Sequence, residues 1–207
     1  MNRNIVITGV GGQGTVLASR LIAQAAINEG IGVRTAETIG MAQRGGSVLG
    51  YIRLFDGVGQ DPPFSPVIGA GQADLLVAFE PAEAARNLQL LKKGGFVISA
   101  IKPVLPVQAQ LSRDKTGSYD IDAVLGWLRA QSDVETLLID GDAILHELGN
   151  SRVLNVVLLG AAASLGALGI GHQSLAQAVD ELAPARYLEV NRQALAVGYA
   201  LGEQYSG

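Results

Sequence analysis

The feature that most narrows the possible folds lies at residues 5–14. An apolar run, Ile5-Val6-Ile7-Thr8, feeds the turn Gly9-Val10-Gly11-Gly12-Gln13-Gly14, which opens directly into a helical stretch over residues 15–29. A strand that must turn into a helix within a few residues needs backbone free of Cβ atoms, and Gly9, Gly11, Gly12 and Gly14 supply it. With a second strand over residues 32–36, the unit reads β-α-β. The spacing Gly9-x-Gly11-x-x-Gly14 is also that of the dinucleotide fingerprint. There the glycines admit a pyrophosphate to the backbone and the helix N-terminus offers amide donors. A plain tight turn explains the glycines equally well, so the spacing alone assigns no ligand. Glu37, at the end of the next strand and 23 residues beyond Gly14, stands where a ribose-binding acid is expected. A phosphate-binding loop of the Walker type is excluded, because Thr15 follows Gly14 where Lys is required and the first Lys of the chain is Lys92.

The alternation continues. Residues 48–55 read as a strand, 56–66 as a turn-rich segment and 74–79 as a buried strand, with Pro81 at the start of a helix that runs to about Leu91. Lys92-Lys93-Gly94-Gly95 reads as the end of that helix, ahead of a strand over residues 96–100. Residues 103–119 are extended and irregular, 121–130 helical, and 134–139 a strand. From Ser151 the pattern is helical, with Leu154, Leu158, Ala161 and Leu165 along one stripe and further helices near residues 175–182 and 187–201. The expected fold is a single α/β domain over residues 1–207: a Rossmann-like, mostly parallel sheet, parallel at its start, flanked by helices and completed by a helical C-terminal layer.

Composition removes several function classes. Hydrophobic residues make up 48% and charged ones 16%, so disorder is excluded and the apolar excess points to a partner surface. A net charge of -4 with no basic run speaks against nucleic acid. With no cysteine, the chain can hold neither disulfides nor thiolate-bound zinc or iron-sulfur clusters. The opening residues do not match a signal or transit peptide, and Asn155 and Ser164 interrupt the apolar stretch at residues 153–170, so a cytoplasmic protein with no membrane contact is expected.

A second glycine-rich segment follows Glu37: Thr38-Ile39-Gly40-Met41-Ala42-Gln43-Arg44-Gly45-Gly46-Ser47. Its position after the second strand puts it where open α/β sheets bind ligands. Met41, Gln43 and Arg44 among glycines exceed the needs of a connector, and Arg44 suits an anion or a carboxylate across an interface. A surface loop with a solvated Arg is the plainer reading. Gly45, Gly46 and Ser47 complete the candidate site, and the two glycine segments are expected to lie near each other. No catalytic residue is legible: His146 and His172 read as structural, Gly45-x-Ser47 lacks the following glycine of a nucleophile elbow, and no Tyr-x-x-x-Lys pair is present. Asp140-Gly141-Asp142 reads as a polar turn capping the next helix.

Together, GVGGQGTVLASRLIAQAA and AETIGMAQRGGSV resemble the beta subunits of indolepyruvate ferredoxin oxidoreductases, and more widely the gamma subunits or equivalent fused domains of 2-oxoacid:ferredoxin oxidoreductases. Residues 73–86 and 93–98 are similar to the strand, helix and strand that follow in that family. The resemblance covers most of the chain and is most specific in the GGQG and MAQRGG elements. It implies a small subunit without tightly bound cofactors of its own. Thiamine diphosphate, magnesium and 4Fe-4S clusters are then expected on a large alpha subunit, coenzyme A as a co-substrate, and ferredoxin as the acceptor reached through the complex. The alternatives that the residues leave open are a free-standing NAD- or FAD-binding Rossmann protein and a non-enzymatic nucleotide-binding scaffold.

Overall fold

The computed structural model describes residues 2–39, 46–56, 65–104 and 120–206. Among these residues six strands form one sheet: β1 (Asn2–Val10), β2 (Gly32–Ile39), β3 (Ser47–Phe55), β4 (Ala73–Ala78), β5 (Leu91–Ala100) and β6 (Glu135–Ile139), in the order β2-β3-β1-β4-β5-β6. Among the described residues seven α-helices accompany them: α1 (Thr15–Asn28), α2 (Pro81–Asn87), α3 (Ile121–Arg129), α4 (Gly141–Glu147), α5 (Leu154–Ser164), α6 (His172–Leu182) and α7 (Leu188–Ser206).

The parallel part of the sheet is β1-β4-β5-β6. At the start of the chain the pairing differs from the simple β-α-β expectation. β3 runs antiparallel to both β1 and β2 and stands between them, so the first two strands are not neighbours. Alternation of apolar residues cannot reveal this, since a strand reads the same in either direction.

β1 sits centrally, and Ile5 to Thr8 are buried on both faces, which explains their unbroken apolar character. On one face Ile5, Ile7, Ile52, Leu75, Val77 and Ile98 join the core formed with α1, α5, α6 and α7. On the other, Val6, Leu76, Ala78 and Val97 meet Ala84 of α2 and Leu128 of α3.

Two local readings are corrected. The helix after Pro81 is α-helical to Asn87 and closes in a 3-10 turn over Leu88–Leu90, close to the expected end, but Leu91 to Gly95 belong to β5: Leu91 pairs with Ala73, Lys92 reaches Asp74 at 2.5 Å, and Gly94 takes a left-handed φ of 70° at the irregularity. Paired lysines and glycines mimic a helix end locally, but a tertiary ion pair and a strand partner decide otherwise. α5 carries no single apolar stripe, because Asn155 through Ala163 are all buried. It packs between β5 and the helices α1, α6 and α7, and a helix covered on every side has no polar face. As expected, Asp140 caps α4, accepting from the Asp142 amide at 3.1 Å.

Candidate functional site

The glycine turn lies at the carboxyl end of β1. Gly12 and Gly14 have φ of 101° and 83°, a left-handed backbone open to glycine and costly for other residues. Gln13 ties the turn down: its Oε1 accepts from the Val10 amide at 2.7 Å and its Nε2 donates to the Phe79 carbonyl at 2.9 Å, fastening the end of β1 to the end of β4. Both ends of its side-chain amide thereby help hold the turn. Gly14 is the N-cap residue of α1, where no side chain caps the helix and no acid stands in the first turn. The amide donors of that end are left for water or a ligand.

A cavity of about 520 Å³ opens beside this helix end. Gly12 to Gly14, Phe79, Ala100 and Gly141 bring the carboxyl ends of β1, β4, β5 and β6 to its wall. Leu17, Val104, Leu145 and Leu154 make it largely apolar, and Lys102, Arg152 and Asp142 bring two positive charges and one negative to its lining. This is where open α/β sheets bind ligands. Lys102 is paired with Asp142 at 2.6 Å on the exposed rim. Asn155, 2% exposed, donates its Nδ2 to the Gly14 carbonyl at 3.3 Å and leaves its buried Oδ1 without a partner. It sits in the first turn of α5, whose N-terminus also lacks a side-chain cap, so two uncapped helix ends converge on one cavity. On the far side of the turn, Gly11, Thr15, Val16, Arg20 and Val48 line a shallower depression.

The second glycine segment meets the first at its end. The Gly11 amide donates to the Gly46 carbonyl at 2.9 Å, and the Ser47 hydroxyl donates to Glu83 Oε2 at 2.5 Å. Gly9 lies inside β1, level with Val48. Glu37 is an exposed residue within β2, which continues to Ile39, and it pairs with Gly50 of β3. With strands about 4.8 Å apart, β3 places β2 roughly 10 Å from β1. Glu37 is thus not on the strand adjacent to the glycine turn. Met41, Gln43, Arg44 and Gly45 lie outside the described residues.

Lys102, Arg152, Asn155 and Glu83 were not singled out as site residues in the sequence. Asn155 carried a signal, a lone amide in an apolar run, which identifies a buried polar group without naming its neighbour. Of the histidines, His146 is exposed and His172 packs edge-on against Tyr199, ring centroids 4.2 Å apart. Among the described residues no group of three or more His, Asp or Glu could hold a metal ion. No described helix is long and apolar enough to cross a membrane.

This architecture is known. The chain resembles the keto/oxoacid ferredoxin oxidoreductase gamma subunit of Geobacter sulfurreducens, with a TM-score of 0.70, 22% identity and coverage of 98% and 99% of the two chains. It also matches part of the 2-oxoglutarate:ferredoxin oxidoreductase of Magnetococcus marinus, with a TM-score of 0.72 and 20% identity over 98% of this chain and 31% of that one. In sequence, it is 32% identical to the indolepyruvate oxidoreductase subunit IorB of Thermococcus kodakarensis over 205 residues, 99% of this chain and 98% of the relative. The model of the pyruvate ferredoxin/flavodoxin oxidoreductase family matches residues 4–201. From the first strand to the last helix, the chain belongs to the pyruvate ferredoxin/flavodoxin oxidoreductase family.

Proposed function

We propose that the chain is the small subunit of an indolepyruvate-type 2-oxoacid:ferredoxin oxidoreductase. Such an enzyme decarboxylates an aryl 2-oxoacid oxidatively to its coenzyme A thioester and passes the electrons to ferredoxin. The observation that carries this reading is the likeness to the IorB subunit over almost the full length of both chains. The chain's own residues fit a supporting role. Without cysteine it has no thiolate for a cluster, and Asp140 and Asp142 are occupied in capping α4 and pairing Lys102. Thiamine diphosphate, magnesium and the 4Fe-4S clusters therefore belong to a large subunit, and ferredoxin is met through the complex in the cytoplasm.

The cavity beside Gly14 suits a phosphate of coenzyme A: amide donors at two helix ends, Lys102 and Arg152 at the margin, and apolar walls for the remainder. The Magnetococcus marinus protein, part of which this chain matches in fold, has coenzyme A bound. Arg44 in the second glycine segment is proposed to serve a coenzyme A phosphate or a carboxylate of the large subunit.

The test is purification from the native source with the partner identified by mass, followed by reconstitution. A large cluster-bearing chain should co-elute with this one, and the purified small chain should be colourless and inactive. Two separately eluting species, or a stoichiometric chromophore in the isolated chain, would overturn the assignment. Arg44→Ala should leave the melting temperature of the free chain nearly unchanged. In the complex it should weaken large-subunit affinity or raise KM for coenzyme A, by about 2 kcal/mol or more if the Arg is buried at the interface. Wild-type values of both would make the second glycine segment a connector.

A further inference from the structure

One buried titratable group has no part in the cavity. Glu83, in the first turn of α2, is 1% exposed. Its Oε1 is ion-paired with Arg86, and its Oε2 accepts from Ser47 Oγ at 2.5 Å and, more distantly, from Thr8 Oγ1 at 3.4 Å. Thr8 Oγ1 in turn accepts from Asn87 Nδ2 at 3.1 Å, completing a satisfied network beneath the end of β1. Folding alone does not ask for a carboxylate here. Burying one is costly, and an apolar residue of similar size at such a place is often neutral or stabilising. The N-terminus of α2 is already capped by Glu80, which accepts from the Glu83 amide at 2.9 Å.

What the carboxylate does achieve is geometric. Ser47 closes the second glycine segment and begins β3, and the preceding Gly46 carbonyl accepts from Gly11 in the first. The same two residues are thus held from both sides: by the first glycine turn through the backbone, and by Glu83 through a hydroxyl. We propose that Glu83 is a positioning residue, whose buried carboxylate, acting through Ser47, fixes the Gly46–Ser47 root of the second glycine segment against the first turn. Its consequence for the assembled enzyme rests on the proposal above that these segments serve coenzyme A or the large subunit.

Glu83→Gln tests this directly, but a neutral amide beside Arg86 in a buried site can disturb folding. Position 47 offers a cleaner pair. Ser47 is exposed at a strand end, where β-branched residues are well tolerated, and Thr and Val there differ by little more than the hydroxyl. The readout is amide hydrogen exchange at Gly11, whose N–H is bonded to Gly46. In the free chain, Ser47→Val should speed Gly11 exchange about tenfold, as expected for losing a hydrogen bond to a charged group, with the β4 amides unchanged. Ser47→Thr should keep the wild-type rate. If Val leaves Gly11 exchange within about twofold of wild type, or Thr speeds it as much as Val, the proposal is overturned. In the reconstituted complex Ser47→Val should raise KM for coenzyme A or weaken large-subunit affinity, and Thr should restore the wild-type value. Faster Gly11 exchange in Val, with unchanged affinity and KM, would uphold the positioning role and overturn the functional reading of the segments.

Discussion

Gly198→Val is expected to remove most of the stability of this chain. Gly198 lies in α7 where that helix crosses α5, and a Cβ there would overlap the Val157 carbonyl oxygen and stand 2.7 Å from its carbon. These are backbone atoms, so no side chain can turn aside. The same contact is repeated along the crossing, with Gly160 against the Leu195 carbonyl and Gly202 against Ala161 and Ser164. Nor can α5 retreat, since it is buried on every side with β5 behind it. The two helices must separate, opening gaps among the residues they bury together. Overpacking alone costs about 1 to 3 kcal/mol, and the lost interhelical contact should bring the total to roughly 4 kcal/mol or more. Domains are typically stable by about 5 to 15 kcal/mol, so a large fall in denaturation midpoint or an insoluble product is expected. Gly149→Ala is the control: its φ is 63°, but its Cβ would meet nothing within 4 Å, and it should cost only about 1 to 2 kcal/mol of backbone strain. If chemical denaturation shows Gly198→Val as mild as Gly149→Ala, the close crossing of α5 and α7 is not what holds the C-terminal layer.

Gly14→Ala should combine a stability loss with damage to the cavity. The residue has a φ of 83°, and its new Cβ would stand 2.6 Å from Asn155 Nδ2. Left-handed backbone costs a non-glycine residue about 1 to 2 kcal/mol, and displacing Asn155 from the Gly14 carbonyl adds the loss of a buried hydrogen bond, about 1 kcal/mol. Gly12→Ala separates the two contributions. Its φ is 101°, yet its Cβ would face open space, so backbone strain alone applies. Denaturation should therefore place Gly14→Ala about 1 kcal/mol or more below Gly12→Ala. In an Asn155→Ala background that difference should largely vanish, since the clashing amide is gone. Thermal shift with coenzyme A should also be reduced in Gly14→Ala, because Asn155 and the first turn of α1 wall the same cavity. A difference that persists without the Asn155 amide would show that the contact across α1 and α5 does not set the requirement for glycine.

The glycine turn shows how far sequence reasoning reaches. The turn, the helix behind it and the position of both at the end of β1 were legible, because they follow from φ preferences and from apolar runs a few residues long. Glu37 shows the limit. Its distance along the chain suits a ribose-binding acid, but its distance in space depends on β3 entering the sheet between β1 and β2. Lys92 to Gly95 fail in the same way, reading locally as a helix end while forming an irregularity within β5, between Leu91 paired with Ala73 and Phe96 paired with Leu75.

By itself, the sequence determined the α/β class, the order of most elements, the glycine-bound end of β1 and, through its resemblance, the family. These are properties of neighbours along the chain: periodicity, backbone freedom and motif spacing. Only the tertiary structure decided that β3 separates the first two strands, that Asn155 comes to rest on Gly14 from 141 residues away, and that Glu83 reaches Ser47. These contacts join segments distant in sequence, and the energy of a buried amide or carboxylate depends on the partner that folding brings to it, which no local pattern of residues specifies.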